Sequence, residues 1–259
     1  MQQAGTLRNF RHETMSKNKK RNKQQKPFLY AHRFDWLEII ATVLSLWFIV
    51  FPRPFYPLLI VLICLPIVGL VLNGLSKPSI ASLVTISTDS KYKYDVADFI
   101  DMPAIAIVFR VVYDYEYEDF FSLLIPGTLA LVITITVLLR THSLKILPHD
   151  KNKRTTVLLV YASLFVYSYG ATYAINCAFD FSDVKNYRVA VVDKRMTTSH
   201  SRRGGVRHSY YFRISPWGHH YDTEEISVTL KQFDGIAIGD SVNIGLHKGL
   251  FNIPWYRLE

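Results

Sequence analysis

Cysteine is nearly missing from this 259-residue chain: Cys64 and Cys177 are its only two, and each lies inside an apolar run. A disulfide framework needs more thiols, and a CxxC zinc site needs a spacing that these two do not have. Signatures of catalysis and nucleotide binding are also missing. There is no GxSxG elbow, no HExxH helix and no Walker glycine loop, so nucleophilic, zinc-hydrolytic and phosphate-loop chemistry find no support. Ser209 follows His208, but neighbours on a strand point to opposite faces and do not act together. An enzyme is not expected, and no catalytic residue, metal or cofactor is assigned. Internal repeats are absent as well. Acid is scarce at the start, where the first 33 residues hold nine Lys or Arg against Glu13 alone.

Charge is wholly absent from Phe120 to Leu139, FFSLLIPGTLALVITITVLL. A helix rising about 1.5 Å per residue needs about 20 apolar residues to cross a ~30 Å hydrocarbon core, where its backbone polar groups must pair within the segment. This stretch predicts a membrane span. Mean hydropathy is only +0.12 with 49% hydrophobic residues, too polar for a bare bundle and too blocky for one soluble domain, so two parts are expected. Trp36 to Phe51 is a second run, stopped by Pro52-Arg53-Pro54; Phe55 to Leu72 is the return span, with Pro66 inside it; Thr155 to Phe179 is uncharged and rich in tyrosine. Within this last span Gly170, Ala174 and Ala178 recur every four residues, a small-residue stripe suited to close helix packing.

The ambiguous run is Val96 to Tyr113, which holds Asp98, Asp101 and Arg110. Loop charge decides its status. Asp114 to Asp119, DYEYED, carries four acids and no base, whereas Arg140 to Arg154 carries Arg140, Lys145, Lys151, Lys153 and Arg154 against Asp150. Basic loops stay cytoplasmic. With the basic tail 1–33 inside, both loops fall on their expected sides only if Val96 to Tyr113 crosses, which favours five spans over four. The +9 net charge sits largely in that tail, a topology anchor touching anionic headgroups rather than nucleic acid. Asp101 and Arg110 are nine residues apart and on opposite helix faces, so Arg110 is expected to meet Asp114 one turn on, and Asp101 is the candidate intramembrane polar group.

After Asp180 the period switches to two. Tyr187 to Val192, Tyr210 to Ile214, Ile226 to Leu230 and Val242 to Leu246 alternate as strands. Residues 180–259 are therefore expected to form a soluble β module, a small barrel or sandwich, after a helical membrane domain at 34–179, with Trp255 and Tyr256 closing its core. A basic loop from Lys194 to His208, containing Gly204-Gly205, joins the first two strands. His200, His208, His219 and His220 lie in or beside loops without metal-ligand spacing, so solvated histidine is preferred over a zinc site.

The strings YYFRISPW at Tyr210 to Trp217, EISVTLKQFDGIAIGDSVNIGLHKG at Glu225 to Gly249 and IPWYRL at Ile253 to Leu258 resemble a module of uncharacterised proteobacterial inner-membrane proteins, in which several short spans lead directly into the module. The resemblance implies a Gram-negative inner membrane and no activity. Combined with the spans, it places the module in the periplasm. The expected function is to bind a partner, an envelope protein or anionic polymer, or to steady an envelope assembly, through Arg202, Arg203 and Arg207 with the aromatic strand Tyr210 and Tyr211. The alternatives are solute or ion transport through the bundle, for which Asp101 is the relevant residue, and immunity to an envelope-acting toxin.

Overall fold

The computed structural model of the chain describes residues 35–87, 93–144, 153–200 and 205–259. The basic tail, Arg202 and Arg203 lie outside the described residues.

Among the described residues of the first half there are five helices: α1 (Asp35–Val50), α2 (Phe55–Asn73), α3 (Asp98–Asp114), α4 (Leu124–Thr141) and α5 (Lys153–Ala178). Their limits follow local chemistry. α1 stops before Pro52, since proline has no N–H to donate, while Pro66 is accommodated inside α2. Between α2 and α3 the sequence pattern leaves a polar connector; the structure makes it two 3₁₀ turns and a short hairpin, β1 (Val84–Ser87) with β2 (Lys93–Val96).

The helix ends fall into two groups. The Ser143 amide donates to the Pro78 carbonyl at 2.8 Å, and the Ile80 amide to the Ser143 carbonyl at 3.0 Å, so the chain leaving α4 meets the chain leaving α2. In the same half, Leu37 and Ala41 of α1 share a buried cluster with Ile80, Phe99 and Leu138, and Thr42, midway along α1, donates to Asp98 at the start of α3 over 3.2 Å. At the opposite end Phe48 and Ala178 share a cluster with Ile253 and Trp255, Phe55 packs against it, and Asp114 leads within two residues into the sheet. The five helices therefore alternate in direction. Among the described residues three are long and apolar enough to cross a membrane, over Phe55–Ser76, Phe121–Thr141 and Arg154–Ala178. α1, with 16 residues, and α3, with 17, are shorter, about 24 and 26 Å.

α3 sits inside the bundle and packs on α1, α2 and α5. Its approach to α5 depends on Gly170, where a Cβ would lie 2.6 Å from Val108 Cγ2. Ala174 and Ala178 are buried on the same stripe. Outward-facing Val43, Ile60, Ile105, Leu129, Val132 and Leu158 remain exposed, the apolar surface that a bilayer would cover.

The second half is a curled antiparallel half-barrel. Strands β4 (Lys185–His200), β5 (Val206–Ile214), β6 (Glu224–Val228), β7 (Ser241–His247) and β8 (Trp255–Leu258) join β3 (Glu116–Tyr117) in the order β3-β8-β7-β4-β5-β6. Alternation predicts a closed barrel or sandwich, but here β3 and β6 remain the two edges of one open sheet. A short helix, α6 (Leu230–Gly235), follows β6 with a capping box between Thr229 and Gln232. Gly239, at φ +94°, turns the chain into β7.

Three features depart from the sequence expectation. The supposed loop Lys194 to His208 is mostly strand: β4 runs on, pairing with β7 up to Ala190 and, past an irregularity between Val191 and Asp193, with β5 as far as His200 opposite Val206. β3 comes from the acidic connection between α3 and α4, so the helical half contributes an edge strand to the sheet. Finally, Tyr256 enters the module's core with Val189, Phe212 and Ile244, but Trp255 does not. Neighbours on a strand face opposite ways, and Trp255 packs instead with Phe48, Leu59, Ile107, Tyr173 and Cys177 of the bundle.

Candidate functional site

Two joints fix the module to the bundle. At the first, the last turn of α5 holds the turn between β7 and β8. Asn176 donates from Nδ2 to the Ile253 carbonyl at 2.8 Å and accepts at Oδ1 from the Phe251 amide at 2.8 Å. Asp180 accepts from the Gly249 amide at 2.7 Å, the Ser182 amide at 2.9 Å and the Trp255 indole at 3.1 Å. Burial alone would raise the Asp180 pKa, but these donors outweigh it and hold the carboxyl below its ordinary value. His247 stacks on Trp255 at 3.8 Å, and burial with nearby Arg257 lowers its pKa. Gly249 has φ +79°, and a Cβ there would collide with the Ile253 carbonyl oxygen, so the tight turn requires glycine.

The second joint is polar. His220, between β5 and β6, places Nε2 2.8 Å from Glu118 and Nδ1 3.6 Å from Glu224. Glu224 also accepts from the Trp217 indole at 3.2 Å and the Tyr256 hydroxyl at 2.6 Å, while Trp217 stacks on His220 at 4.5 Å. Burial, then proximity to Glu224, raises the Glu116 pKa. Burial and the Glu224 contact likewise raise that of Tyr256. Sequence reasoning used the DYEYED acids for topology alone and His219-His220 as loop residues; only the three-dimensional meeting of β3 with β8 unites them.

Beside this joint a cleft opens between the end of α3 and the hairpin. Arg207, His208, Ser209 and Tyr210 line a cavity of about 280 Å³ with Tyr113, Ser227 and Thr229. An adjoining cavity of about 190 Å³ shares Tyr113, Ser227 and Thr229 and adds Asp114, Glu116, Gln232 and Arg257. Of the expected binding residues, then, Arg207 and Tyr210 converge. Arg207 is exposed, with no ion pair among the described residues, and the Tyr210 ring lies 5.0 Å from Phe233. Tyr211, pairing with Arg195 and Ser227, does not line the cleft.

Arg110 meets Asp114 at 2.7 Å, as its spacing predicts, and its guanidinium lies 5.5 Å from the Tyr113 ring, so the pair supports the cleft wall. Asp101 is half-buried in the first turn of α3, where the helix dipole favours a negative charge. Glu38, Thr42 and Asp98 line a separate cavity of about 340 Å³ at that far end of the bundle. Among the described residues no three His, Cys, Asp or Glu side chains are grouped to hold a metal ion. No family model matches the chain, and no curated protein or solved structure is significantly similar to it.

Proposed function

We propose that this chain is an inner-membrane protein whose five helices cross the bilayer and hold the β module in the periplasm as a receptor for an anionic protein or polymer of the envelope. The observation that carries this reading is the convergence of Arg207 and Tyr210 with Tyr113 in one cleft, along the flank of a cationic hairpin. A guanidinium with no ion pair among the described residues, beside tyrosine, serine and threonine hydroxyls, suits carboxylate or phosphate groups, which arginine binds through two parallel hydrogen bonds. The alternating helix directions support five crossings, because they put the DYEYED connection and the module at one end and the basic 140–154 connection at the other. That is the charge asymmetry a cytoplasmic start demands.

Replacing Arg202, Arg203 and Arg207 together by Glu tests the reading by crosslinking and copurification from cells. Loss of a copurifying partner, with the variant still inserted and folded, is expected; an unchanged partner profile at low and moderate salt rejects it. A reporter active only after oxidation, fused after Glu259, should be active in the periplasm. Cytoplasmic activity would remove the fifth crossing.

Transport is the second reading, favoured by the cavity between α1 and α3 where Glu38 and Asp98 meet Thr42. Cation uptake into reconstituted vesicles that disappears in Asp98→Asn would support it over the receptor.

A further inference from the structure

The turn between β7 and β8 belongs to the module by sequence and to the bundle by position. The Leu250 amide donates to the Asn176 carbonyl at 3.1 Å, the Phe251 amide donates to the Asn176 side chain, and Ile253 is fully buried in the cluster that contains Phe48, Leu58 and Leu62. Asn176 lies in the last turn of α5. A segment hydrogen-bonded along that turn sits at the depth of that turn, which for a spanning helix is the boundary between acyl chains and headgroups. Its other side is bare and apolar. Leu250 is 48% exposed, Phe251 41% and Phe181 88%, the last beside Ser182, whose hydroxyl accepts from the Lys248 amide at 3.3 Å. Tyr56, half-exposed at the start of α2, lies 5.8 Å from Phe179 and marks the same level.

We propose that Leu250, Phe251 and Phe181 form an interfacial anchor through which the β module dips into the outer leaflet of the bilayer, with Lys248 at the level of the lipid phosphates. The occupant is lipid because the turn is tied to the end of a helix long and apolar enough to span, where Phe179 already meets Tyr56 of α2, and because aromatic and leucine side chains next to a lysine match the chemistry of the membrane boundary. A water-exposed turn has no reason to present Leu250 and Phe251, and the chain leaving α5 no reason to present Phe181, while the turn's backbone is tied to that helix end. The anchor fixes the module's underside, so that the open sheet is held against the membrane and does not swing on a linker. It rests on the spanning reading given above.

Bimane attached to single cysteines of the full chain, in a Cys64→Ser background and in vesicles of lipids brominated along the acyl chain, tests both separately. Leu250→Cys and, independently, Phe251→Cys should be quenched at least twofold more than Tyr221→Cys, whose site is 88% exposed on the loop before β6. Val132→Cys, 54% exposed midway along α4, reports whether the bundle spans. Quenching at Val132 with none above the Tyr221 level at both turn positions overturns the anchor alone. No quenching at Val132 overturns the spanning reading, and the anchor with it.

Discussion

The two joints between module and bundle differ in what makes them hold. At the end of α5 backbone amides and an indole whose positions are fixed by the fold donate to the enclosed Asn176 and Asp180, and Asn176 donates in turn to the Ile253 carbonyl. At β3, beyond a two-residue backbone ladder with β8, the contacts are side chain to side chain: an imidazole between two carboxylates, partly open to solvent. A buried acceptor surrounded by fixed donors cannot relax when one is lost, whereas partly exposed polar side-chain pairs exchange their partners for water at lower cost. The first joint should therefore carry the stability of the assembly, and the second should tune it.

The largest expected effect comes from removing the joints together. Residues 183–259 expressed alone lack β3, Asn176 and Asp180 and expose Trp255; a poorly dispersed amide spectrum is expected, although the strand alternation by itself suggests an independent domain. Native-like dispersion would show that the joints only position the module. Next, Trp255→Ala in the full chain should cost about 3 to 5 kcal/mol, the range for deleting a buried large aromatic ring, measured by denaturant unfolding in detergent. A change within about 0.5 kcal/mol would mean that the ring is not part of the core.

Asp180→Asn sharpens the contrast through pH. The folded carboxyl has a pKa below its unfolded value of about 3.9, so its stabilisation is complete above that value and is lost as pH falls through the folded pKa. The native chain should lose stability in acid below about pH 4. The variant should start roughly 1.5 to 3 kcal/mol lower at neutral pH, the usual worth of hydrogen bonds to a charged group, and show a shallower acid decline; parallel curves would clear Asp180 of this role. Smallest is His220→Phe, which keeps a ring against Trp217 but removes both nitrogens. A loss of about 1 kcal/mol or less is expected at this partly exposed seam. A loss as large as that of Trp255→Ala would reverse the ranking of the two joints.

What sequence could and could not reveal divides along the same line. The helices were legible because burial in lipid demands long apolar runs, and α2, α4 and α5 stand out by that criterion. Arg110 with Asp114 was legible because both lie on one helix, one turn apart. Alternation located four module strands, but the extension of β4 through polar residues 194–200 carries no burial pattern, since both faces of that ribbon are exposed. β3 is two residues long, too short for any period to register. Its pairing with β8 reassigned Trp255 to the bundle and created the Glu118–His220–Glu224 seam, contacts set by tertiary meeting and by no local spacing. Tyr210 and Tyr211 are adjacent in sequence, yet the pleat separates them, so only one lines the cleft.

The unbroken length of β4 has a mechanical consequence. From Thr197 to His200 it advances beyond the end of β6 with Val206 to Ser209 as a two-stranded ribbon about 10 Å long at the usual rise per residue, and the same strand continues at its other end into Lys185, a few residues beyond Asp180 and the end of α5. A tug on the ribbon tip is thus delivered along a single covalent line to the membrane joint, without passing through a hinge. The ribbon is a lever with its fulcrum at Met196 opposite Tyr210, where β6 ends, and its length sets how far from the sheet a bound object could be and still pull on the helices.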